Sequence, residues 1–486
     1  MPTHCIRTSL RLAVVCIVTV TLLMLVAVFS RADSHSQLVV VSYAGWAELQ
    51  GLAASGLQIL NYQGGVLAAI CDDQRIAALR QAGHAVHILD APAVPSEYYL
   101  AYTLTPADLK AIPSLAAVYA YADGVHIVRA SVGVAESLPM QGVDIVRLPA
   151  SITLPRYRPP NARLATSSCV EVRTMLDQVS PALLTEHICH LQDRDTLPYC
   201  NEKGTRYSYA TAELGEAAQY LYDQYTSFGL SVRFDPFLHN GTPMTNVVAE
   251  LPGIGPGLPH IYVASAHYDS ISEQPFDAAP GADDNASGVA AVLEAARILS
   301  EHGFPRTLRF IHFAGEEQGL LGSAHYAQGA RERGEMIDGV INVDMIGFES
   351  VPPSDHIVEL HAGTNPLSIA LADALALSVQ QYDLELAPQQ ITSQATWRSD
   401  HGSFWGQGFP AVLAIEDLDD FNPHYHSSDD TLAHVQSHMV VEFTKALVAT
   451  LAQLACQANE PELTPTATSG PALFSLYLPL ARPSLR

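Results

Sequence analysis

The chain has 486 residues, of which 48% are hydrophobic and only 15% are charged, so it can bury a sizeable core and is not typical of a disordered protein. Its length suggests about three domains. Acidic residues outnumber basic ones by 50 to 25, and because phosphate contacts need lysine and arginine, this balance argues against nucleic acid as a partner.

The N-terminus has the pattern of a signal peptide over residues 1–32. Arg7 and Arg11 precede an apolar run, and Ser30 and Ala32 supply the small residues typical of a cleavage site. An uncleaved membrane anchor is the alternative, because the run is close to the shortest that spans a bilayer. Both interpretations predict that the body of the protein is exported, and we favour cleavage and secretion, with no membrane span after signal removal.

Residues 33–148 are predicted to form a small α+β region. Between residues 38 and 89 the order is strand, helix, two strands, helix and strand, which is that of a ferredoxin-like unit. A weaker copy is predicted over 98–128, with its helix over 106–116. We find no catalytic constellation here, so we expect a pro-segment, a chaperone or an inhibitor, or an accessory domain without a regulatory role.

A proline- and arginine-rich segment over 149–168 is a predicted linker, exposed and open to cleavage. Over 169–457, predicted strands and helices alternate, which is typical of an α/β fold with a mostly parallel central sheet flanked by helices. A Pro/Thr-rich linker and a tail occupy 458–486. The tail is either a surface-sorting or docking signal, which would associate the protein with the cell surface, or a disordered end.

Five cysteines lie outside the predicted signal peptide, and none of them forms a CxxC pair. In an exported protein, disulfides are their natural use. Cys189 and Cys200 are near enough in sequence to close a short loop. Cys169 and Cys456 bracket the α/β region, whose ends are expected to meet. Cys71 is then left as a small buried residue.

Five short polar segments stand out because most of them lie where a predicted strand ends, the place where open parallel sheets bind ligands. They are Ala-His-Tyr-Asp-Ser (266–270), Gly-Ala-Asp-Asp-Asn-Ala-Ser-Gly (281–288), Ala-Gly-Glu-Glu-Gln-Gly (314–319), Asn-Val-Asp-Met-Ile-Gly (342–347) and Tyr-His-Ser-Ser-Asp-Asp-Thr (425–431). Singly, most have ordinary explanations, such as helix caps or first-turn acids. Asp344 is harder to explain, because a carboxylate that ends an apolar strand is costly unless it is paired or metal-bound.

Together the segments supply two imidazoles and three carboxylates, a donor set suited to zinc, with manganese or cobalt as alternatives. Two neighbouring ions need a shared ligand, and the carboxylate of Asp284 can bridge them. The adjacent Glu316 and Glu317 can supply a base and a ligand, because neighbouring side chains in an extended chain point apart.

The five segments, in this order, resemble those of the co-catalytic, di-zinc aminopeptidases of the secreted bacterial type, a family that also includes glutaminyl cyclases and glutamate carboxypeptidases. The resemblance extends over residues 169–456 and implies a fold of the zinc exopeptidase type. It implies two Zn²⁺ ions held by five residues: His267, Asp284, Glu317, Asp344 and His426.

The same resemblance implies roles for further residues. Glu316 is expected to be the general base, and Asp269 to orient His267. Asp400 and His401 belong to a Ser-Asp-His segment that lines the pocket in this family. Tyr425 is expected either to donate a hydrogen bond to the oxyanion or to be a packing aromatic.

The expected activity is hydrolysis of N-terminal residues from peptides or proteins with a free N-terminus. Three alternatives stay open: a glutaminyl cyclase with one zinc, a carboxypeptidase for which Arg398 would hold a substrate carboxylate, and a non-catalytic binding protein. The intact ligand set argues against the last of these. The side-chain preference, natural substrate and oligomeric state do not follow from the sequence.

Overall fold

The computed structural model of the protein describes residues 36–103, 109, 112, 114–154, 169–193, 200, 202–255, 259–350 and 355–456. The predicted signal peptide, most of the predicted helix over 106–116, the arginine-containing part of the linker and the C-terminal tail lie outside the described residues. Among the helices that the structure describes, none is both long and apolar enough to cross a bilayer.

The N-terminal region begins with the predicted ferredoxin-like unit. Its elements are β1 (Gln37–Ser42), α1 (Trp46–Ala54), β2 (Gln58–Gln63), β3 (Val66–Cys71), α2 (Asp73–Gln81) and β4 (Val86–Asp90). The antiparallel strand order β2-β3-β1-β4 is that of the split βαβ motif. Asp72 caps α2 by accepting a hydrogen bond from the Arg75 amide.

A second four-stranded sheet follows and repeats the same topology. It consists of β5 (Tyr98–Thr103), β6 (Ala117–Ala122), β7 (Val125–Arg129) and β8 (Val143–Arg147), with the short helix α3 (Val132–Ala135) before the last strand. Its order, β6-β7-β5-β8, places each strand as in the first unit. The sequence pattern indicates this copy only as far as β7, because α3 is a single helical turn with too little periodicity to signal a helix.

The rest of the chain is built on one mixed, mainly parallel sheet of order β15-β14-β16-β13-β11-β12-β10-β9. Its strands are β9 (Ser231–His239), β10 (Thr242–Leu251), β11 (His260–His267), β12 (Thr307–Phe313), β13 (Met336–Val343), β14 (Ile357–His361), β15 (Ala387–Ile391) and β16 (Ala411–Glu416). The four central strands, β12, β11, β13 and β16, are parallel to one another. The predicted α/β class is therefore confirmed.

Helices flank this sheet. They are α4 (Val172–Leu176), α5 (Pro181–Asp193), α6 (Thr211–Ser227), α7 (Gly288–Leu299), α8 (Leu321–Glu332), α9 (Pro366–Tyr382), α10 (His401–Gly406) and α11 (Ser437–Ala455). α7 is buried along almost its whole length, which explains why its sequence is apolar on nearly every face. Both predicted disulfides are present, Cys169–Cys456 and Cys189–Cys200, while Cys71 is buried and unpaired as expected.

The N-terminal region packs directly against the larger sheet domain. The rings of Tyr62 and Trp397 meet edge to face at 5.2 Å, and Trp397 Nε1 donates a 3.0 Å hydrogen bond to the Tyr62 carbonyl. The start of the predicted linker joins the two regions, because the Ile152 amide bonds to Ile59 O at 2.8 Å and the Thr153 amide to Gly406 O at 2.8 Å. Residues 149–154 are thus held by hydrogen bonds instead of lying free.

Candidate active site

The candidate ligands gather at one edge of the central sheet. His267 is the last residue of β11, Asp344 directly follows β13, and Glu316 and Glu317 lie in the turn after β12. The Asp344 amide continues the ladder by donating to Ala414 O of β16 at 3.2 Å. Because these strands are parallel, their carboxyl ends meet at the same edge, as predicted from the sequence.

Asp284 reaches this edge from the turn that precedes α7, where its peptide bond to Asn285 is cis. The Asn285 side chain donates to Val343 O at 2.9 Å and accepts from the Met345 amide at 3.2 Å, so it ties this turn to the chain on both sides of Asp344. The Asp430 carboxylate accepts hydrogen bonds of 3.0 Å from the amides of Asp283 and Asp284. These contacts fix the position of the Asp284 carboxylate.

The Asp284 carboxylate lies between the two imidazoles. Its Oδ1 is 3.1 Å from His267 Nε2, and its Oδ2 is 3.4 Å from His426 Nε2. Each imidazole has a second carboxylate partner, since Asp344 Oδ1 lies 3.2 Å from His267 Nε2 and Glu317 Oε2 lies 2.9 Å from His426 Nε2. We call His267 and Asp344 the first half of the site, and Glu317 and His426 the second half. Asp284 is shared by both.

These residues fit divalent metal ions. The five side chains are at most 8% exposed, and donor atoms of His267, Asp284 and Glu317 lie within 4.8 Å of one another. Burial lowers the pKa of His267, but the carboxylates of Asp344 and Glu316 outweigh it and raise the pKa well above its usual value. The concentrated negative charge that does this also attracts a cation, and imidazole with carboxylate is a donor set that zinc prefers.

Of the two adjacent glutamates, Glu316 is the one that faces a small cavity of about 30 Å³ beside the ligands. Burial raises the pKa of Glu316 well above its usual value; His267 opposes this shift, and the carboxylates of Glu317 and Asp344 add to it. A carboxyl group in such a place can hold and release a proton, which is what a general base must do.

Asp269 supports the turn that carries both glutamates. Its Oδ1 accepts from the Glu316 amide at 3.2 Å, and its Oδ2 accepts from the Glu317 amide at 3.4 Å. His267 Nδ1 lies 3.2 Å from the backbone oxygen of Asp269 and 3.7 Å from its carboxylate. Asp269 therefore lies beside His267, and it also joins the turn after β12 to the end of β11.

Comparison with known proteins agrees with this geometry. Residues 246–451 match the profile described as Peptidase family M28. This segment of the chain is similar to peptidase family M28. The family resemblance inferred from the five polar segments is thereby confirmed.

Two curated proteins to which the chain is similar are named probable leucine aminopeptidases. The one from Arthroderma otae is 34% identical over 213 residues, which are 42% of this chain and 56% of that protein. The one from Trichophyton verrucosum is 32% identical over 223 residues, which are 44% of this chain and 58% of that protein. The chain thus spans little more than half the length of these relatives.

Solved structures of two Legionella pneumophila proteins share the fold. The LapA aminopeptidase aligns with a TM-score of 0.57 at 20% identity, covering 75% of this chain and 100% of that chain. LapB aligns with a TM-score of 0.54 at 20% identity, covering 87% of this chain and 100% of that chain. At this level of identity the likeness shows a common fold.

The wall of the cavity beside the candidate ligands contains Tyr425, whose ring stacks on that of His426 with centroids 3.7 Å apart. Arg398 and Ser399 also line the cavity. Five apolar side chains also line it: Met345, Leu413, Ile415, Leu418 and Phe421.

Asp400 and His401 do not line this cavity. Both are fully buried at the start of α10. His401 Nε2 lies 2.9 Å from Thr396 O, and its ring meets that of Trp405 at 4.5 Å. Burial raises the pKa of Asp400 to about 7, with the charge of His267 acting in the opposite direction. The Ser-Asp-His segment therefore reaches the cavity through Ser399, and not through Asp400 or His401 as expected from the resemblance.

Ser399 supports the first half of the site. Its hydroxyl donates to Asp344 Oδ2 at 2.5 Å and accepts from Asn342 Nδ2 at 2.8 Å. Ser399 belongs to the Ser-Asp-His segment, and Asp430 belongs to the polar segment 425–431. Their place in these segments is the sequence signal that could have identified them.

The N-terminal region reaches the second half of the site through Asp144 of β8. The Asp144 carboxylate forms a salt bridge with Arg398, and its Oδ1 lies 3.7 Å from His426 Nδ1. Neither of those last two atoms has a hydrogen-bond partner among the described residues. No local pattern marks Asp144, because it is an isolated acid in an apolar strand of another region.

Proposed function

We propose that this chain is a secreted zinc aminopeptidase that removes N-terminal residues from peptides. One observation carries the proposal: the Asp284 carboxylate presents one oxygen to each of two imidazoles, and each imidazole has a further carboxylate partner. This is the arrangement that a pair of metal ions sharing one ligand requires. The similarity to peptidase family M28 and to proteins named as leucine aminopeptidases supports the same activity.

The two halves of the site define which residues would hold the metals. His267, Asp344 and one oxygen of Asp284 would hold one ion, while Glu317, His426 and the other Asp284 oxygen would hold the second. Zn²⁺ is the expected ion, with Mn²⁺ or Co²⁺ as alternatives. When bound, the ions would polarise the scissile carbonyl and lower the pKa of a water molecule.

The chain itself supplies the proton transfer. Glu316, which faces the cavity, accepts a proton from the attacking water and delivers it to the leaving amine, acting first as base and then as acid. The Tyr425 hydroxyl donates a hydrogen bond to the substrate carbonyl oxygen as it gains negative charge. Burial raises the pKa of Tyr425 well above its usual value, so its hydroxyl stays protonated and can donate.

The cavity wall also favours a class of substrate. Its apolar residues, among them Leu413, Ile415 and Phe421, would surround the side chain of the N-terminal residue. Burying an apolar side chain there is favourable by about 25 cal/mol per Å² of apolar surface. We therefore expect aminoacyl substrates with large apolar side chains to be hydrolysed faster than those with small or charged ones.

The test combines substrate choice with metal content. We expect about two metals per chain, as co-catalytic sites hold, and hydrolysis of unblocked aminoacyl-anilides but not of N-acetylated ones. Chelation should abolish activity and zinc should restore it. A single bound zinc, with pyroglutamate from N-terminal Gln peptides as the only product, would assign the protein to the glutaminyl cyclases instead.

A separate variant tests the role of Glu316 as general base. Glu316→Gln should keep both metals and lose kcat by ~10²- to 10⁴-fold, the usual value of general acid–base help. Glu332→Gln, at an exposed position of α8, is the matched control and should leave kcat unchanged. Near-normal turnover in Glu316→Gln would contradict the assignment.

We further propose that the N-terminal region is a pro-segment that restrains the enzyme after export. The contacts of Asp144 with Arg398 and His426 support this, because they place the N-terminal region over the second half of the site. Export and signal removal predict a secreted chain that begins at Asp33, which N-terminal sequencing would detect.

Cleavage in the linker tests the restraint. A protease that cuts after arginine within 155–168 should raise kcat/KM of the full chain, and a chain that begins at Ser168 should be at least as active as the full one. If that shorter chain is folded yet less active, the N-terminal region is an accessory or assembly domain.

A further inference from the structure

Arg206 is a buried cation that lies before the segment matching Peptidase family M28. Only 2% of its surface is exposed. Its guanidinium donates four hydrogen bonds, all to backbone carbonyls: Nε to Tyr268 O at 2.7 Å, Nη1 to Leu191 O at 2.6 Å and to Pro280 O at 2.7 Å, and Nη2 to Gly281 O at 2.9 Å.

Two of these carbonyls belong to the segments that bear metal ligands. Tyr268 directly follows His267, and Gly281 opens the turn that contains Asp284. The backbone of Arg206 adds two contacts to the first segment, because its amide donates to Ser270 Oγ at 3.2 Å and its carbonyl accepts from the Ser270 amide at 3.3 Å. One residue therefore joins the chain after β11 to the turn before α7.

The Asp284 turn is packed closely against Arg206 at Gly281. A Cβ atom at this glycine would lie 2.3 Å from Asp284 O, 2.6 Å from Ser270 Cβ and 3.0 Å from Arg206 Nη2. The glycine has a φ of +49°, a backbone conformation that residues other than glycine rarely adopt. A side chain at position 281 would therefore collide with the turn itself and with Ser270, and it would lie tightly against the guanidinium.

The charge of Arg206 also acts on the site. Burial lowers the pKa of Arg206 to about 10, while the carboxylates of Asp430, Asp269 and Asp284 favour its charged form. Among the described residues none of these carboxylates bonds to the guanidinium directly, so its positive charge acts on them at a distance. Such a charge reduces the repulsion among the acids that converge on the two imidazoles.

We infer that Arg206 is a positioning residue for the metal centre, which holds the His267 and Asp284 segments in their ligand arrangement before any ion binds. The inference rests on the proposed function in taking His267 and Asp284 as metal ligands, and it does not depend on which peptide is cut. Arginine suits this role because its planar group offers five N–H donors in a fixed fork, whereas the compact ammonium of lysine offers three.

The experiment compares two full-chain variants, Arg206→Lys and Arg309→Lys. Arg309 is a matched control, because it is 8% exposed and bonds to Glu250, Glu335 and Tyr326 near the start of β12, at the opposite end of that strand from the ligands. We measure zinc affinity by chelator competition, the absorption spectrum of the Co²⁺-loaded protein, and thermal unfolding.

Both variants should unfold at lower temperature than the wild type. Only Arg206→Lys should weaken zinc binding, by ~10- to 100-fold as for other partners of metal ligands, and only it should change the Co²⁺ spectrum. Unchanged affinity and spectrum in Arg206→Lys would overturn the inference. An equal loss of affinity in Arg309→Lys would do the same, because it would show a general effect of stability.

Ser270→Ala covers the case in which Arg206→Lys does not fold. It keeps the guanidinium but removes the hydroxyl that accepts from the Arg206 amide and donates to Ala279 O at 2.7 Å. A smaller weakening of zinc affinity, in the same direction, is expected, and wild-type affinity in this variant would count against the inference. If the wild type binds two metals but cleaves no aminoacyl substrate, the proposed function fails while the role of Arg206 stands.

Discussion

Strand ends position the ligands of the first half of the candidate site, whereas loops position those of the second half. His267 and Asp344 stand at the ends of β11 and β13, adjacent parallel strands whose pairing continues to Ser265 and Asn342, two residues before each ligand. Glu317 lies in a turn, and His426 lies in the long connection between β16 and α11, where its backbone has a φ of +52°. Non-glycine residues rarely adopt this conformation, so the surrounding contacts must hold it.

The two halves also differ in what covers them. Ser399 of the larger sheet domain donates to Asp344, whereas Asp144 of the N-terminal region lies beside His426. A ligand at a strand end takes its position from the sheet, while a ligand on a loop takes its position from whatever packs against that loop. The observed contact of the N-terminal region is thus with His426, a residue of the second half of the site.

The largest expected effect follows from removing the ligand that both halves share. Asp284→Ala should lower bound zinc from about two ions per chain to well below one, and aminopeptidase activity should fall below detection. Elemental analysis after desalting, with kcat on a leucine anilide, measures both quantities. Retention of one ion at wild-type affinity would show that Asp284 belongs to one half alone.

A smaller effect is expected from removing one ligand of a single half. Glu317→Gln and Asp344→Asn should each leave about one zinc per chain and lower kcat by ~10²-fold or more. This loss of kcat should be larger than the loss caused by changing a residue that only forms a hydrogen bond to a ligand. Glu317→Gln should keep the ion of the first half, because the sheet holds His267 and Asp344 in place. Loss of both ions from either variant would mean that the halves cannot bind independently.

The support of the first half can be weakened without touching a ligand. Ser399→Ala removes the hydroxyl that donates to Asp344 Oδ2, so zinc affinity should fall by ~10-fold in the first half only. Ser403→Ala, whose hydroxyl pairs with that of Ser323 at 2.9 Å, is the control on the adjacent helix. Equal metal affinity in the two variants would show that the Ser399 contact does not orient Asp344.

The smallest effect is expected at the contact between the regions. Asp144→Asn replaces the charged partner of Arg398, and a hydrogen bond to a charged group is worth about 1.5 kcal/mol or somewhat more. If the N-terminal region restrains the enzyme, kcat/KM of the uncut chain should rise by up to ~10-fold, since 1.4 kcal/mol is one factor of ten. A fall in kcat/KM with loss of metal would mean instead that Asp144 orients His426 in the working enzyme.

Much of the fold could be predicted because local sequence patterns, such as apolar runs and helix caps, indicate it. The apolar runs of β11, β12 and β13 are long enough to signal buried strands, and Ser180 at the start of α5 caps it by accepting from the Leu183 amide at 3.3 Å. The sequence Ala-Pro-Gln-Gln-Ile does not indicate the strand β15, because it has no apolar alternation. Its proline is tolerated because β15 lies at the edge of the sheet. The sequence did not indicate β8 as the last strand of the second unit, because the helix before it has only one turn and gives no helical periodicity.

Local sequence points to His267, Asp344 and the Glu316–Glu317 pair, because they follow strand ends and parallel strands bring such ends together. Asp284 lies in the turn before α7 and His426 lies on a loop, and it was the family resemblance that pointed to them as ligands. Arg206 and Asp144 could not be found in this way. Arg206 contacts carbonyls up to 75 residues away, and Asp144 meets Arg398 across 254 residues. Contacts at such separations leave no periodic pattern, and they come into being only when separate elements of the chain pack together.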